Sequence, residues 1–201
     1  MAPAALSHSA PRVLHVISGL EVGGAEIALC RLARTMTELG HPVMVASLLG
    51  GGGVEDALLE AQVEVASLRR KLPARGPVAN GPVELLARCR AFRPQVVMGW
   101  MYHGIALAHA LRALVARESA LLWNIRCTLD ESQTLPRATR WLIRALETAS
   151  RKPSAIVYNS QLGRSQHVDR GYCDRGGVVI PNGVDLAMWR PDRAAGRAIR
   201  L

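Results

Sequence analysis

Apolar and polar positions alternate along this chain in short blocks that predict strands and helices in strict alternation. Apolar runs such as Val13–Ile17 are typical of strands that a parallel sheet buries on both faces. The longer blocks between them carry apolar residues at helical spacing. The predicted strands are 13–17, 43–48, 63–68, 95–98, 120–125, 155–158 and 177–180. The first predicted helix begins at Ala25 and stops at Gly40. The other predicted helices cover 54–61, 82–92, 102–115, 136–149 and 161–170.

This alternation predicts an α/β protein with a Rossmann-like parallel sheet and helices on both faces. Crossovers in such sheets are right-handed, and ligands bind beyond the carboxyl ends of the strands. Polar or glycine-rich clusters follow most of the predicted strands, so we expect them to meet at one edge and to form a cleft. The clusters are residues 18–24, 50–53, 100–103, 126–130, 159–160 and 182–185.

The glycine loop at 18–24 is a candidate binding site. Gly23 and Gly24 lie where the free N–H groups of the first helix point outward, and the helix dipole there favours a phosphate. A tight turn that needs glycine torsions is the alternative, and no GxGxxG or GKS/GKT pattern decides between the two. The glycine run at 50–53 is interpreted either as a mobile loop or as a second close-approach site.

The charge balance points to anionic partners. Lys and Arg number 25 against 16 Asp and Glu, a formal charge of +9, which suits a nucleotide, a phospholipid surface or a nucleic acid. Nucleic acid ranks third, because aromatic residues are only 4% of the chain and stacking platforms are therefore scarce.

Several special classes of protein are disfavoured. The scattered cysteines predict buried free thiols in a reducing compartment, not disulfides or a metal site. No export signal is visible at the N-terminus. The uncharged stretch 94–111 contains Pro94, Gln95 and two histidines and divides into a strand and a helix, so we do not predict a transmembrane span.

Five segments together resemble, in chain order, the N-terminal half of retaining glycosyltransferases of the GT-B fold, family 4. They are VLHVISGLEVGGAE, WMYHGIALAHAL, LLWNIR, AIVYNSQLGRSQHVDRGY and VVIPNGVDLAMWRP. In that family two Rossmann-like domains face each other; the first binds the acceptor and the second grips the nucleotide sugar. The resemblance implies a disordered segment at 1–11, one domain at 12–185, and at 186–201 the start of a linker to a donor-binding domain that this chain lacks.

The activity that the resemblance implies is retaining transfer of a hexose from a nucleotide diphosphate sugar to a glycan or lipid-linked acceptor. Neither a metal nor a cofactor is implied, and the chain is expected to be inactive without the second domain. Gly23 and Gly24 match the loop near the donor diphosphate, and Asn182 and Gly183 match the hinge into the second domain. The residues assigned to the acceptor cleft are Ser18, Tyr102, Asn159 and Ser160.

His103 and Arg126 are the two catalytic candidates. His103 lies in the segment after strand four that lines the cleft, or it only starts a helix. Arg126 stands where many family members carry a histidine near the reacting sugar. Because arginine stays protonated, its role would be electrostatic, through donation to a sugar hydroxyl or a phosphate oxygen. The alternatives are surface pairing of Arg126 with Asp130 or Glu131, and simple helix capping by Asn159 and Ser160.

The helix at 136–149 is amphipathic and basic. It predicts either a face that lies on an anionic membrane and presents a lipid-linked acceptor, or an ordinary solvated face, and Glu147 within the stripe weakens the membrane interpretation. The basic residues of this face are Arg137, Arg140, Arg144 and Arg151, with Trp141 at its border.

We therefore expect a cytoplasmic protein, with attachment to the inner face of the membrane left open. A non-catalytic Rossmann-like module that binds an anionic ligand or a membrane surface is the alternative function. A dehydrogenase or epimerase is disfavoured by the missing GxGxxG and Tyr-x-x-x-Lys patterns. His15, inside an apolar strand, is interpreted as a core histidine whose ring nitrogens have hydrogen-bond partners, and His109 as structural.

Overall fold

The computed structural model describes residues 10–70, 81–130 and 134–183. Within these ranges the predicted α/β architecture is confirmed, and each predicted element is found with its ends shifted by at most two residues. The strands are β1 (Val13–Ile17), β2 (Val43–Gly50), β3 (Glu64–Arg70), β4 (Val96–Trp100), β5 (Ala120–Ile125), β6 (Ala155–Tyr158) and β7 (Gly177–Val179). The helices are α1 (Gly24–Glu38), α2 (Gly53–Glu60), α3 (Pro82–Phe92), α4 (Met101–Val115), α5 (Arg137–Ala149) and α6 (Gln161–Asp169).

All seven strands form one parallel sheet in the order β3-β2-β1-β4-β5-β6-β7. From β1 the chain adds β2 and then β3 on one side. It then crosses over and places β4 on the other side of β1. Val13 accordingly pairs with Val43 of β2 and with Val96 of β4. This reversal between β1 and β4 is the topological switch point at which open α/β sheets bind their ligands.

Two apolar cores cover the two faces of the sheet. Leu14 and Val16 of β1 belong to the larger core, which also contains residues of α3, α4 and α5. Ile17 belongs to the smaller core, with residues of α1 and α2 and with Trp100 at the end of β4. The alternation along β1 follows from the two-residue period of a strand, which sends successive side chains to opposite faces.

The backbone of helix α4 packs directly against the backbone of the sheet. A Cβ added at Gly104 would lie 2.5 Å from the carbonyl oxygen of Val16 and 2.9 Å from the Cα of Ile17. A Cβ added at Gly99 of β4 would lie 2.6 Å from the Cα of Ile105. Helix α4 also follows β4 without a loop, through Met101 at a left-handed φ of 57°. These contacts fix the start of α4 at the carboxyl edge of the sheet.

The glycine run at 50–53 forms a tight turn between β2 and α2. Gly51 and Gly52 have φ values of 93° and 107°, which side chains rarely tolerate. A Cβ at Gly52 would lie 2.6 Å from the carbonyl oxygen of Leu20. The glycine run at 50–53 is therefore in close contact with the backbone of the glycine loop at 18–24 of the same chain.

The described helices include none that is both long and apolar enough to cross a bilayer. The uncharged stretch 94–111 is divided between β4 and α4, as the sequence predicts. Most of the predicted N-terminal segment and all of the predicted linker at 186–201 lie outside the described residues.

Candidate functional site

An open groove of about 680 Å³ lies beside the switch point, between α1 and the carboxyl halves of the central strands. Residues of β4, β5 and β6 line it opposite α1, and the segment 180–183 after β7 also contributes to its wall. The groove brings together four predicted site residues, namely Gly24, Arg126, Asn182 and Gly183. Other residues of its wall are Ile27, Ala28, Arg31, Leu32, Met98, Trp100 and Asn124.

Arg126 is a fixed positive charge in this groove. Its Nη1 donates to Oδ1 of Asn124 at 3.2 Å, and its Nη2 donates to Oδ1 of Asn182. The guanidinium carbon lies 5.4 Å from the centroid of the Trp100 ring, within cation–π range. Burial lowers the pKa of Arg126 from its ordinary value, but a guanidinium remains charged at neutral pH.

The structure does not show the alternative pairing of Arg126 with Asp130. The Asp130 carboxylate accepts from Nε2 of Gln166 instead. Glu131, the other acidic neighbour considered, lies outside the described residues.

Trp100, whose ring lies under the guanidinium, is itself held by a hydrogen bond to His15. Nε1 of Trp100 donates to Nδ1 of His15 at 3.1 Å, and both side chains are buried. Since Nδ1 accepts, the neutral imidazole carries its proton on Nε2, an atom without a hydrogen-bond partner in the described part of the chain. Burial lowers the pKa of His15 to about 4. The prediction that His15 is a core residue is confirmed, and it supports Trp100, which sequence reasoning left without a role.

The buried His15 is expected to make stability fall as the pH drops. The unfolded chain takes up a proton near pH 6.5 and the folded chain only near 4, so the unfolded state binds more protons between those values. From about pH 7.5 to about pH 5 this residue alone should remove about 2 kcal/mol from the free energy of unfolding. Urea denaturation of wild type and His15→Gln at both pH values measures the difference.

The His15→Gln variant keeps an acceptor for Trp100 and should lose about 2 kcal/mol less than wild type over that interval. His103→Gln, at an exposed histidine, serves as the control and should follow wild type. Equal losses in wild type and His15→Gln would contradict the expectation.

The two predicted phosphate-binding glycines differ in their surroundings. Gly23 is the N-cap of α1 and provides no side-chain cap. The carboxylate of Glu26 folds back over Gly23, so an anion at that point would meet a negative charge. A Cβ added at Gly24 would contact no atom within 4 Å, because that space belongs to the groove. The phosphate-binding role of both glycines remains a prediction, and the geometry favours Gly24.

The predicted acceptor-cleft residue Tyr102 lies in the core and not in the groove. Its side chain is 4% exposed, and its hydroxyl forms hydrogen bonds with Nε2 of His167 at 2.8 Å and with Sγ of Cys127 at 3.2 Å. The reason is that α4 begins directly at Met101, which turns the next residue back toward the sheet. The position of the side chain corrects the expectation that Tyr102 faces a ligand.

The remaining predicted residues lie at the carboxyl edge but outside the groove lining. Ser160 caps α6 by accepting from the N–H of Gly163 at 3.0 Å, which confirms the capping interpretation. His103 is exposed on the first turn of α4, and Ser18 and Asn159 are half-buried. Their roles in a cleft stay predictions.

The described residues contain no group of three or more His, Cys, Asp and Glu side chains arranged to hold a metal ion. The four cysteines are free thiols, two of them buried, and burial raises the pKa of Cys89 to about 12. The groove itself offers electrostatic chemistry, because the guanidinium groups of Arg31 and Arg126 lie beside amide side chains and an apolar wall.

A doubly wound sheet with a cationic groove at its switch point is the architecture of one lobe of a GT-B glycosyltransferase. Residues 22–188 match the family model described as Glycosyltransferase Family 4, and the chain belongs to that family. No curated protein sequence gives a significant match.

Solved structures agree on the fold. HepE from Anabaena, in complex with UDP and glucose, superposes with a TM-score of 0.69 at 18% identity over 94% of this chain and 49% of its own. A Rickettsia africae glycosyltransferase gives 0.56 at 15% identity, over 96% of this chain and 50% of its own. The lipopolysaccharide outer core galactosyltransferase WaaB gives 0.58 at 11% identity, over 87% and 46%. The chain spans about half the length of these proteins.

Proposed function

We propose that this chain is the acceptor-side N-terminal domain of a retaining glycosyltransferase. The enzyme would transfer a hexose from a nucleotide diphosphate sugar to a glycan or lipid-linked acceptor. Turnover would need a second, donor-binding domain. Family membership supports the transferase assignment, and the match to only 49% of the HepE chain supports the need for a partner domain. HepE, which shares the fold, has been crystallised with UDP-glucose.

The observation that carries the proposal is the fixed guanidinium of Arg126 in the groove. Retaining transfer develops positive charge on the sugar and negative charge on the departing phosphate, which is thought to take the proton of the acceptor hydroxyl on the same face. A cation that is already held by Asn124 and Asn182 can donate to a phosphate or sugar oxygen with little reorganisation. Such donors contribute most when they are fixed before the reaction begins.

The proposed hinge is tied to the same cation. Asn182, where the described chain approaches its end, accepts from Arg126, and Arg31 of α1 donates to the carbonyl oxygen of Gly183 at 3.3 Å. Two arginines of the groove thus hold the segment that we propose as the hinge. Movement at Asn182 would therefore move a hydrogen-bond partner of the proposed catalytic group.

Arg126→Ala is expected to lower the turnover of the gene product that contains this chain by about 100-fold, while the fold stays intact. Arg126→Lys should restore part of the activity, because it returns the charge but not the planar fork that reaches two amides. The measurement is initial rates against a panel of UDP-, GDP- and ADP-sugars with glycan and lipid-linked acceptors.

Arg90→Ala provides the matched control, since Arg90 is an exposed arginine of α3, away from the groove. Unchanged kinetics in Arg126→Ala would remove this residue from the site. A gene product that transfers no sugar from any donor would refute the transferase proposal and leave the non-catalytic binding module.

A further inference from the structure

A second concentration of positive charge lies outside the groove, on the solvent side of α5. Arg137, Arg140, Trp141 and Arg144 recur at three- and four-residue spacing and so share one face of the helix. Arg170, the C-cap of α6, joins them, and together the five side chains line an open depression of about 520 Å³. We call this surface the arginine–tryptophan face.

Trp141 is the unusual member of the arginine–tryptophan face. Its side chain is 72% exposed, whereas Trp100, Trp123 and all three tyrosines are buried. The exposure does not arise from loose packing of α5, because the opposite side of the helix buries Ile143 and Leu146 in the core. The Tyr172 hydroxyl also donates to the Ile143 carbonyl oxygen at 2.8 Å. A rigid helix therefore presents a large apolar ring to solvent among guanidinium groups.

Acidic residues near this face do not cancel its charge. Glu147 is half-buried, and its carboxylate lies against Gly171 at the end of α6, 2.7 Å from where a Cβ of that glycine would stand. Asp169 is exposed and precedes Arg170. Among the described residues, the four arginines of this face thus lie near these two carboxylates, one of which is turned toward α6. The face keeps a positive charge, and it suits an anionic partner.

We propose that the arginine–tryptophan face binds the surface of an anionic phospholipid bilayer. Arg137 and Arg144 would contact lipid phosphates, and the Trp141 ring would enter the boundary between head groups and acyl chains, where indoles are enriched. A helix whose charges and aromatic ring share one stripe can lie in the plane of the bilayer while its other side stays packed in the protein.

The composition of the face favours a membrane over a nucleic acid. Single-stranded nucleic acids are bound by several aromatic rings on which successive bases stack, and this face offers one indole. The inference does not depend on sugar transfer, and it goes beyond the proposed function. With a lipid-linked acceptor, it would hold the domain at the surface where that acceptor resides.

The test is co-sedimentation of the 201-residue chain with vesicles of phosphatidylcholine alone and with about one-third phosphatidylglycerol. Binding is expected to the anionic vesicles only. Removal of two arginines, in Arg137→Gln/Arg144→Gln, should lower partitioning about 25-fold, at about fivefold for each charge near the surface. Trp141→Ala should also weaken binding, and its effect should persist at high salt, where charge attraction is screened.

Arg90→Gln/Arg117→Gln is the matched control, because it removes the same charge from exposed arginines elsewhere on the domain. It should bind as wild type does, and circular dichroism should show all variants folded. An equal loss in the control would mean that only the overall charge attracts the chain, and would overturn the proposal. Three other outcomes would also overturn it. The first is vesicle binding by Trp141→Ala that equals wild-type binding, and the second is absence of binding to anionic vesicles. The third is binding of a single-stranded oligonucleotide, in place of vesicles, through the same residues.

Discussion

Gly24→Val is expected to remove at least about 99% of the sugar-transfer rate of the gene product while its thermal unfolding stays at the wild-type temperature. The fold tolerates the change because a Cβ at this first residue of α1 meets nothing within 4 Å. The groove does not tolerate it, because the isopropyl group would project into the space beside Arg31 and Ile27. A displacement of about 1 Å at reacting groups can cost about 100-fold in rate.

Gly53→Val is the matched control for this prediction. Gly53 is also the first residue of a helix that follows a glycine N-cap, and its added Cβ would make only an ordinary contact, 3.9 Å from Cγ2 of Val22. Because Gly53 does not line the groove, its variant should keep both activity and stability. Normal turnover by Gly24→Val would show that the glycine loop is only a turn.

The order of strands and helices could be predicted from the sequence because hydrophobic periodicity reports local structure directly. The bounds of α3, β5 and β6 are those predicted, and each is marked by a clear apolar block or by Pro82 at a helix start. The predicted end of β4, Met98, lies two residues before the observed end at Trp100. Gly99 is retained in the strand because α4 crosses it at backbone distance, a tertiary requirement that no local pattern shows.

The location of the candidate site could also be predicted in part. Arg126 and Asn182 follow different strands of a parallel sheet, and the carboxyl ends of such strands must share an edge. What could not be predicted is which part of the sheet the described helices leave open as a groove, because this depends on where α1 packs. The support of Trp100 by His15 was likewise missed, although a lone histidine in an apolar strand, next to a strand that ends in tryptophan, is a usable signal.

Gly104→Val is expected to unfold the domain or to lower its free energy of unfolding by about 4 kcal/mol or more. The added Cβ would lie 2.5 Å from the carbonyl oxygen of Val16 and 2.9 Å from the Cα of Ile17. Both atoms belong to the backbone of β1, which is hydrogen-bonded on both sides and cannot give way. Because natural domains are stable by only about 5–15 kcal/mol, a loss of this size removes a large share of the total.

Urea denaturation measures this effect, with Gly104→Ala as a second variant in case the valine variant does not fold. Alanine adds only the Cβ, yet it meets the same backbone atoms and should still destabilise the domain, although alanine is the better helix former. Ala110→Val, at an exposed position of the same helix, should cost less than about 0.7 kcal/mol. Since α4 starts directly after Trp100, its contact with β1 also fixes the ring beneath Arg126. A Gly104→Ala variant as stable as wild type would show that this contact does not exist, and the guanidinium would lose the rigid support on which its proposed role depends.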